Sequence, residues 1–340
     1  MKAVIMAGGE GRRLRAVTGE RPKPLVPLLG RPIMEHIILL LKKHGYTDIC
    51  AAVKYRAEDI ISAFGDGSAL GVSLSYREET EPLGTAGGVK NCEDFYGGED
   101  FLVISGDAAC DFDLAEMMRR HKEKKAAVTL ALCRHSSPLS YGLTVTDETG
   151  LVRAFVEKPD WARVVSDRVN TGIYIISPAV MELVPENEPF DFAKDLFPLL
   201  LEKGMPIQGL MMDGYWCDVG DPLSYYRCCV DALEGKLDID IPESFRPGRP
   251  VREMPRPGEG YTLEQPCRSR AALMGALSQA MLEMDADYSD GIRLRRPHYS
   301  MHLFPVSNRS AIRIAVQSQN MEFASKLALS IKDLAEILDL

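Results

Sequence analysis

The sequence predicts an α/β protein: an open, mostly parallel sheet with helices on its faces, followed by a small α+β domain. Three observations carry that expectation. Short apolar runs of strand character alternate with helix-length amphipathic runs over residues 1–239. Residues 240–267 then hold six prolines and three glycines, too many for a continuous helix or a central strand, and read as a Pro-rich linker. Beyond the linker, residues 268–340 follow an α-β-β-β-α order.

In chain order, residues 2–6 read as a buried strand, and 33–44 as a helix whose apolar residues 34, 37, 38 and 41 recur at helical spacing. Strands are expected at 49–53, 101–104, 128–132, 143–145 and 170–176, and helices at 57–64, 113–122, 191–203 and 222–234. Such alternation makes parallel βαβ units, and sheets of this kind bind ligands beyond the carboxyl ends of their strands. In the last part, 269–283 is an amphipathic helix candidate. Strand-like runs follow around 290–294, at 301–304 and at 312–316, and a helix near 321–338 closes the chain.

Hydrophobic residues make up 46% and charged residues 26% of the 340, which is globular composition and argues against a disordered chain. No apolar run reaches the length of a membrane-spanning helix, and no signal-peptide hydrophobic region follows Lys2, so the expected location is cytoplasmic. The net charge of -9 argues against nucleic-acid binding, which needs a concentrated basic face. The charge is uneven. Residues 1–239 carry 27 Lys+Arg against 36 Asp+Glu, whereas 240–340 carry 13 of each. The eight cysteines form no C-x-x-C pair and fit reduced thiols better than a disulfide or zinc framework. The six histidines show neither metal-ligand spacing nor an evident partner carboxylate.

The chemistry begins after the first strand, where Gly8-Gly9-Glu10-Gly11-Arg12-Arg13-Leu14 turns the chain. Glycines let backbone amides approach a phosphate, and the two arginines add cationic donors. The loop lacks both G-K-[ST] and G-x-G-x-x-G, which removes the usual ATPase and nicotinamide readings. A second basic element, Arg21-Pro22-Lys23-Pro24, follows, its two prolines expected to hold the lysine extended and out of a helix.

These two elements, Gly8-Gly9-x-Gly11-x-Arg13-Leu14 and Pro22-Lys23-Pro24, resemble the signature of sugar-1-phosphate nucleotidylyltransferases. Further landmarks occur in order: Glu79-Thr80-Glu81-Pro82-Leu83-Gly84-Thr85-Ala86-Gly87, Ser105-Gly106-Asp107, Tyr141-Gly142, Phe155-Val156-Glu157-Lys158-Pro159, Asn170-Thr171-Gly172 and Trp216-Cys217-Asp218-Val219-Gly220. The resemblance covers residues 1 to about 235, and within the family it is greatest to mannose-1-phosphate guanylyltransferases. It implies a Rossmann-like domain over 1–239, whose partners are a nucleoside triphosphate and a sugar 1-phosphate, and whose reaction releases pyrophosphate without a covalent enzyme intermediate. UDP-, dTDP- or CDP-sugar and GDP-heptose products, or a catalytically silent nucleotide-sugar sensor, stand as alternatives.

Residue by residue, the resemblance implies that Arg13 and Lys23 grip the triphosphate and Lys158 holds the sugar phosphate. Gly8, Gly9, Gly11, Arg12, Glu79 and Gly84 fall on the nucleotide side, and Gly142, Glu157, Asn170 and Thr171 on the sugar side. Glu79 and its neighbours Glu78 and Glu81 read equally well as a solvated acidic loop. Asp107 and Asp218 are the expected ligands of Mg2+, a hard cation that takes one or two carboxylates plus substrate phosphates. Asp111 and Asp113 are expected to cap the helix that starts near 114. Arg12 and Ala16 depart from the family pattern without removing a proposed charge.

Residues 268–340 resemble a degenerate form of the last domain of phosphomannomutase and phosphoglucomutase relatives, with Ser307-Asn308-Arg309 and Arg313 where those enzymes bind a substrate phosphate. The glycine and the acidic residue of that loop are absent, as are a phosphorylated serine and a D-x-D-x-D loop, so no mutase activity is expected. No hexapeptide repeat of a left-handed β-helix is present, which leaves homo-oligomerisation open.

Overall fold

Strand β1 (Lys2–Ala7) is a buried apolar run with parallel neighbours on both sides. The structure, a computed structural model, describes residues 1–9, 11, 14, 21–135, 141–157, 166–242, 260–280, 292–306, 310–318 and 320–338. Two short strands, β2 (Pro27–Leu28) and β3 (Arg31–Pro32), pair with each other. The large sheet continues with β4 (Asp48–Val53), β5 (Ser73–Glu78) and β6 (Phe101–Ser105), and the short β7 (Ala108–Cys110) follows. Then come β8 (Val128–Arg134), β9 (Gly142–Thr146), β10 (Val152–Glu157), β11 (Arg168–Ile176), β12 (Ile207–Met211) and the short β13 (Trp216–Asp218).

Nine strands make the large sheet, in the order β10-β9-β11-β6-β1-β4-β5, with β8 on β11 and β12 on β8. The pairings set seven strands in one direction and oppose β11 and β10 to them, so the sheet is mostly parallel as expected. Three strands escape the sequence pattern: β5, β10 and β12. All lie at margins of the sheet. A margin strand exposes a row of its residues, and β5 reads Ser-Leu-Ser-Tyr-Arg-Glu with a largely uncovered surface in place of a continuous apolar run.

The helix Ile33–Lys43 follows its apolar spacing, with Glu35 in the first turn and Lys42 and Lys43 in the last, each complementing the helix dipole. Asp113 caps the helix Leu114–Lys124 by accepting the Glu116 N–H at 2.9 Å, as expected. Asp111 does not cap. Its Oδ1 accepts the Tyr215 N–H at 2.6 Å, a tie between segments 104 residues apart that local spacing could not show. The expected helix 191–203 is a π-helical turn, Phe192–Leu196, running into an α-helix, Phe197–Glu202. Two histidines do find carboxylates across the fold: His44 Nδ1 lies 3.3 Å from Asp113, and His121 Nε2 lies 3.7 Å from Asp100. Burial nevertheless lowers the pKa of both.

The compact units do not follow the expected boundary at 239/240. One takes in Met1–Glu10 and Ile37–Trp216, and the other Gly11–His36 and Cys217–Leu340. In the second unit, the Tyr225 hydroxyl donates to the Pro27 carbonyl at 2.7 Å, and Arg31 Nη2 lies 2.9 Å from Asp240 Oδ2. Asp221 and Ser224 form a capping box that starts the helix Pro222–Leu233.

The C-terminal part is an antiparallel sheet of β14 (Gly260–Pro266), β15 (Ile292–Arg296), β16 (Tyr299–Pro305) and β17 (Ala311–Ser318), ordered β14-β17-β16-β15. Helices Arg270–Ala280 and Met321–Leu338 pack on it. The first strand is a correction: all seven residues of β14 lie inside the stretch read as linker, yet each pairs with β17. Alternation explains it, because Tyr261, Leu263 and Gln265 are buried between half-exposed neighbours, and Pro266 ends the strand. Among the described residues no helix is long and apolar enough to cross a membrane.

Candidate active site

Four parallel neighbours, β6-β1-β4-β5, bring their carboxyl ends to one edge of the large sheet. The register sets Met6 against Ser105, Ala7 against Val53, and Val53 against Glu78. The residues just beyond those ends are therefore Asp107, Gly8 with Gly9, Lys54 and Glu79, in a row along the edge where an α/β sheet takes its ligand. Lys54 is the member that motif reading missed. Its signal was its place directly after an apolar strand.

Glu79 is half-buried, whereas Glu78 and Glu81 are exposed, so only one of the three departs from a solvated acidic loop. Its Oε2 accepts the Leu83 N–H at 3.3 Å. Burial pushes its carboxyl above the usual range, opposed by that hydrogen bond and by the nearby Lys54 ammonium. The carboxylate fits because its neighbours lack side chains: a Cβ on Gly88 would lie 2.5 Å from Glu79 Oε1, and one on Gly8 3.3 Å. Gly84 has φ +71°, and a Cβ there would meet the Phe190 carbonyl oxygen at 2.7 Å, so this glycine fixes the turn that carries Leu83. Gly9 faces open space.

Asp107 is held by Ser105, whose Oγ donates to Oδ1 at 2.5 Å. Next to β6, the antiparallel β11 brings Gly172 against Ser105, with 3.5 Å between a Cβ on the glycine and the serine Cβ. Leu143 pairs with Val169, and Gly142 with Glu157, so Gly142, Glu157 and Asn170 gather at one place on the sheet. Asn170 Nδ2 donates to the Tyr174 hydroxyl at 3.0 Å, and its Oδ1 accepts the Gly172 N–H at 3.1 Å. Thr171 is 2% exposed and its hydroxyl donates to the Ala131 carbonyl at 2.8 Å, so it supports the strand. Trp216 Nε1 donates to the Thr171 carbonyl at 3.0 Å, and its ring meets Tyr141 edge-on at 5.4 Å.

The second unit holds Gly11, Lys23 and Asp218. The lysine is not extended as expected: Pro22 is, but Lys23–Leu25 forms one 3-10 turn, closed by the Val26 N–H on the Lys23 carbonyl at 3.0 Å. Pro24 sits in the first turn, where its missing N–H costs nothing, so the flanking prolines permit that turn. Gly11, at φ +60°, leaves room for the lysine stem: a Cβ there would lie 3.1 Å from Lys23 Cβ. The Lys23 side chain is 7% exposed, and its Nζ lies 3.2 Å from Asp218 Oδ1. Arg12, Arg13 and Lys158 lie outside the described residues, as do Ser307, Asn308 and Arg309; for Glu157 only the backbone is described.

Among the described residues no group of three or more His, Cys, Asp or Glu could hold a metal ion. Asp107 and Asp218 supply hard carboxylate oxygens, the donor type that suits magnesium when substrate phosphates and water complete its shell.

The family profile described as nucleotidyl transferase matches residues 2–235. This chain belongs to that family. The nucleotidyl transferase is 37% identical over 265 residues to a UTP–glucose-1-phosphate uridylyltransferase of Synechocystis, covering 74% of this chain and 67% of the relative. It is 34% identical over 234 residues to a mannose-1-phosphate guanylyltransferase of Mycobacterium tuberculosis, covering 68% and 65%. A solved Bacillus anthracis chain, assigned as a glucose-1-phosphate thymidylyltransferase and in complex with sucrose, superposes with a TM-score of 0.64 at 27% identity, over 72% of this chain and 98% of that one. The nucleotidyl transferase thus spans about two thirds of the length of the relatives it matches.

Proposed function

We propose that this nucleotidyl transferase moves a nucleotidyl group from an NTP to a sugar 1-phosphate. A phosphate oxygen of the sugar 1-phosphate attacks the α-phosphorus, the bond from that phosphorus to the bridging oxygen breaks, and pyrophosphate leaves. The observation that carries the reading is the row of Asp107, Gly8, Gly9, Lys54 and Glu79 beyond four parallel strand ends. Two polyanions must be neutralised and aligned, so the catalytic task is positioning and electrostatics. Lys23 and Arg13 would draw charge from the leaving pyrophosphate, and Lys158 would hold the sugar phosphate. Asp107 and Asp218 would hold a magnesium ion, which supplies further charge neutralisation at the phosphates when bound.

For the base, Glu79 supports guanine. Guanine N1–H and N2–H both donate, and a carboxylate accepts both. With mannose 1-phosphate as acceptor the product is GDP-mannose, the chemistry in the name of the mycobacterial relative. A second reading, UTP with glucose 1-phosphate, is favoured by the longer match to the uridylyltransferase. Pyrophosphate release with magnesium, measured for GTP, UTP, ATP, CTP and dTTP against mannose, glucose, N-acetylglucosamine and heptose 1-phosphates, decides between them. The expected result is preference for GTP with mannose 1-phosphate, lost in Asp107→Ala. Preference for another pair keeps the reaction and replaces the substrate. Nucleotide-sugar binding without release for any pair overturns the enzymatic reading in favour of a sensor.

A further inference from the structure

The sheet of β14 to β17 has two unlike faces. Ile292, Leu294, Met301, Leu303, Ile312, Ile314 and Val316 are buried on one, the side that receives the apolar faces of the two helices. The alternate residues make the other. Arg293 pairs with His302 and Arg295 with Ser300, so period-two alternation brings all four to the opposite face. A cleft of about 670 Å³ opens there.

Arg293, Arg295, Arg296, His298 and His302 line this cleft, and its described lining contains no aspartate or glutamate. In a chain of net charge -9, the described lining is a local reversal of sign. Farther along the same face, Arg313 Nη2 lies 2.7 Å from Glu264 Oε1, and its guanidinium sits 5.5 Å from the centre of the Phe304 ring. Arg313, the phosphate candidate carried over from the mutase resemblance, is thus engaged by a carboxylate. The cleft is a different place, made by different arginines.

We propose that this cleft binds a small phosphorylated anion, gripped by Arg293 and Arg295 with His302 beside them. Guanidinium groups match phosphate oxygens two at a time, which makes arginine pairs suited to this ligand class. The volume falls in the range of roughly 300–1,000 Å³ found for small-molecule sites. A cleft of this volume on an acidic chain favours a small anion over a nucleic acid, which requires a longer basic track. The proposal stands apart from the transfer reaction, because every residue it uses lies on the C-terminal sheet.

Hydrogen exchange of the full-length protein tests it, with inorganic pyrophosphate and glucose 1-phosphate as separate probes and the signal read on residues 292–305. That local readout separates this cleft from phosphate bound by the residues assigned to transfer. The expected result is slower exchange in 292–305 with at least one probe. Arg295→Gln is expected to weaken the response about tenfold, and Arg295→Lys less, because lysine keeps the charge but loses the fork. Arg295 is exposed, so this variant leaves the core intact, and Arg293→Gln provides an independent second. Stronger protection by pyrophosphate identifies a free phosphate anion, and stronger protection by glucose 1-phosphate identifies a phosphorylated sugar; either supports the site. Unchanged exchange with both probes overturns it, as does a response that survives Arg295→Gln and Arg293→Gln. Protection by a short single-stranded RNA exceeding both probes overturns it in favour of a nucleic-acid surface.

Discussion

Lys23 Nζ lies 3.2 Å from Asp218 Oδ1, although 195 residues separate the two in the chain. Their expected tasks differ, triphosphate for the lysine and metal for the aspartate, and the second unit pairs them. With the lysine side chain 7% and the aspartate side chain 29% exposed, the two opposite charges meet in a poorly solvated place.

Removing either partner has distinct consequences. Asp218→Asn removes a carboxylate 3.2 Å from an almost buried ammonium and is expected to destabilise the protein by about 2–3 kcal/mol, measured by urea unfolding. Lys23→Ala is expected to lower pyrophosphate release about 100- to 1,000-fold, the scale of losing one charged transition-state contact. Full activity in Lys23→Ala would remove the lysine from the reaction.

Ser105 orients Asp107 through its 2.5 Å hydrogen bond. Ser105→Ala is expected to lower kcat roughly tenfold with a smaller change in KM, because the carboxylate remains but loses its fixed orientation. Ser105→Thr, which retains the hydroxyl, should recover most of that loss, and the magnesium concentration for half-maximal rate should rise in the alanine variant alone.

Glu79 carries a pH dependence of definite sign. Burial raises its pKa, so the native state holds its proton more tightly than the unfolded chain does. The cost of ionising it is therefore absent below the ordinary carboxylate value of about 4.3 and is complete above the raised native value. Glu79→Gln is expected to raise Tm at pH 7 and leave it unchanged at pH 4, while weakening any preference for GTP. Gly88→Ala, whose new Cβ would lie 2.5 Å from Glu79 Oε1, should shift base preference without altering the charge.

Asp333, on the helix Met321–Leu338, is the second such group. Burial pushes its carboxyl up to about 6, with Glu336 adding to the shift and Lys332 and Arg21 opposing it. Stability should therefore fall as pH rises from near 4 through about 6 and then level off. Asp333→Asn is expected to flatten that slope in thermal melts, raising Tm at pH 8 and not at pH 4.

In the large sheet the expected strands β1, β4, β6, β8, β9 and β11 are all interior, and all but β9 are largely buried, so their sequences are apolar runs. The marginal β5, β10 and β12 lack that signature because part of each is uncovered. β14 was hidden by composition, since six prolines over 240–267 mask seven residues that alternate between buried and half-exposed. At the site, motif spacing brought out Gly8, Ser105, Asp107 and Lys23, whereas Lys54 beside the glycine loop and Phe190 against Gly84 follow from register and close approach.

The sequence by itself determined the α/β class, the glycine loop after the first strand and the residue types able to meet phosphates, because apolar periodicity and local backbone chemistry are short-range properties. Tertiary structure alone decided which groups meet. It paired Lys23 with Asp218, tied Asp111 to Tyr215, turned the Thr171 hydroxyl onto the Ala131 carbonyl and opened an arginine-lined cleft on an acidic chain. Partners far apart in the chain come together through strand register and burial, and burial then fixes how strongly each charge acts, neither of which is written in residue spacing.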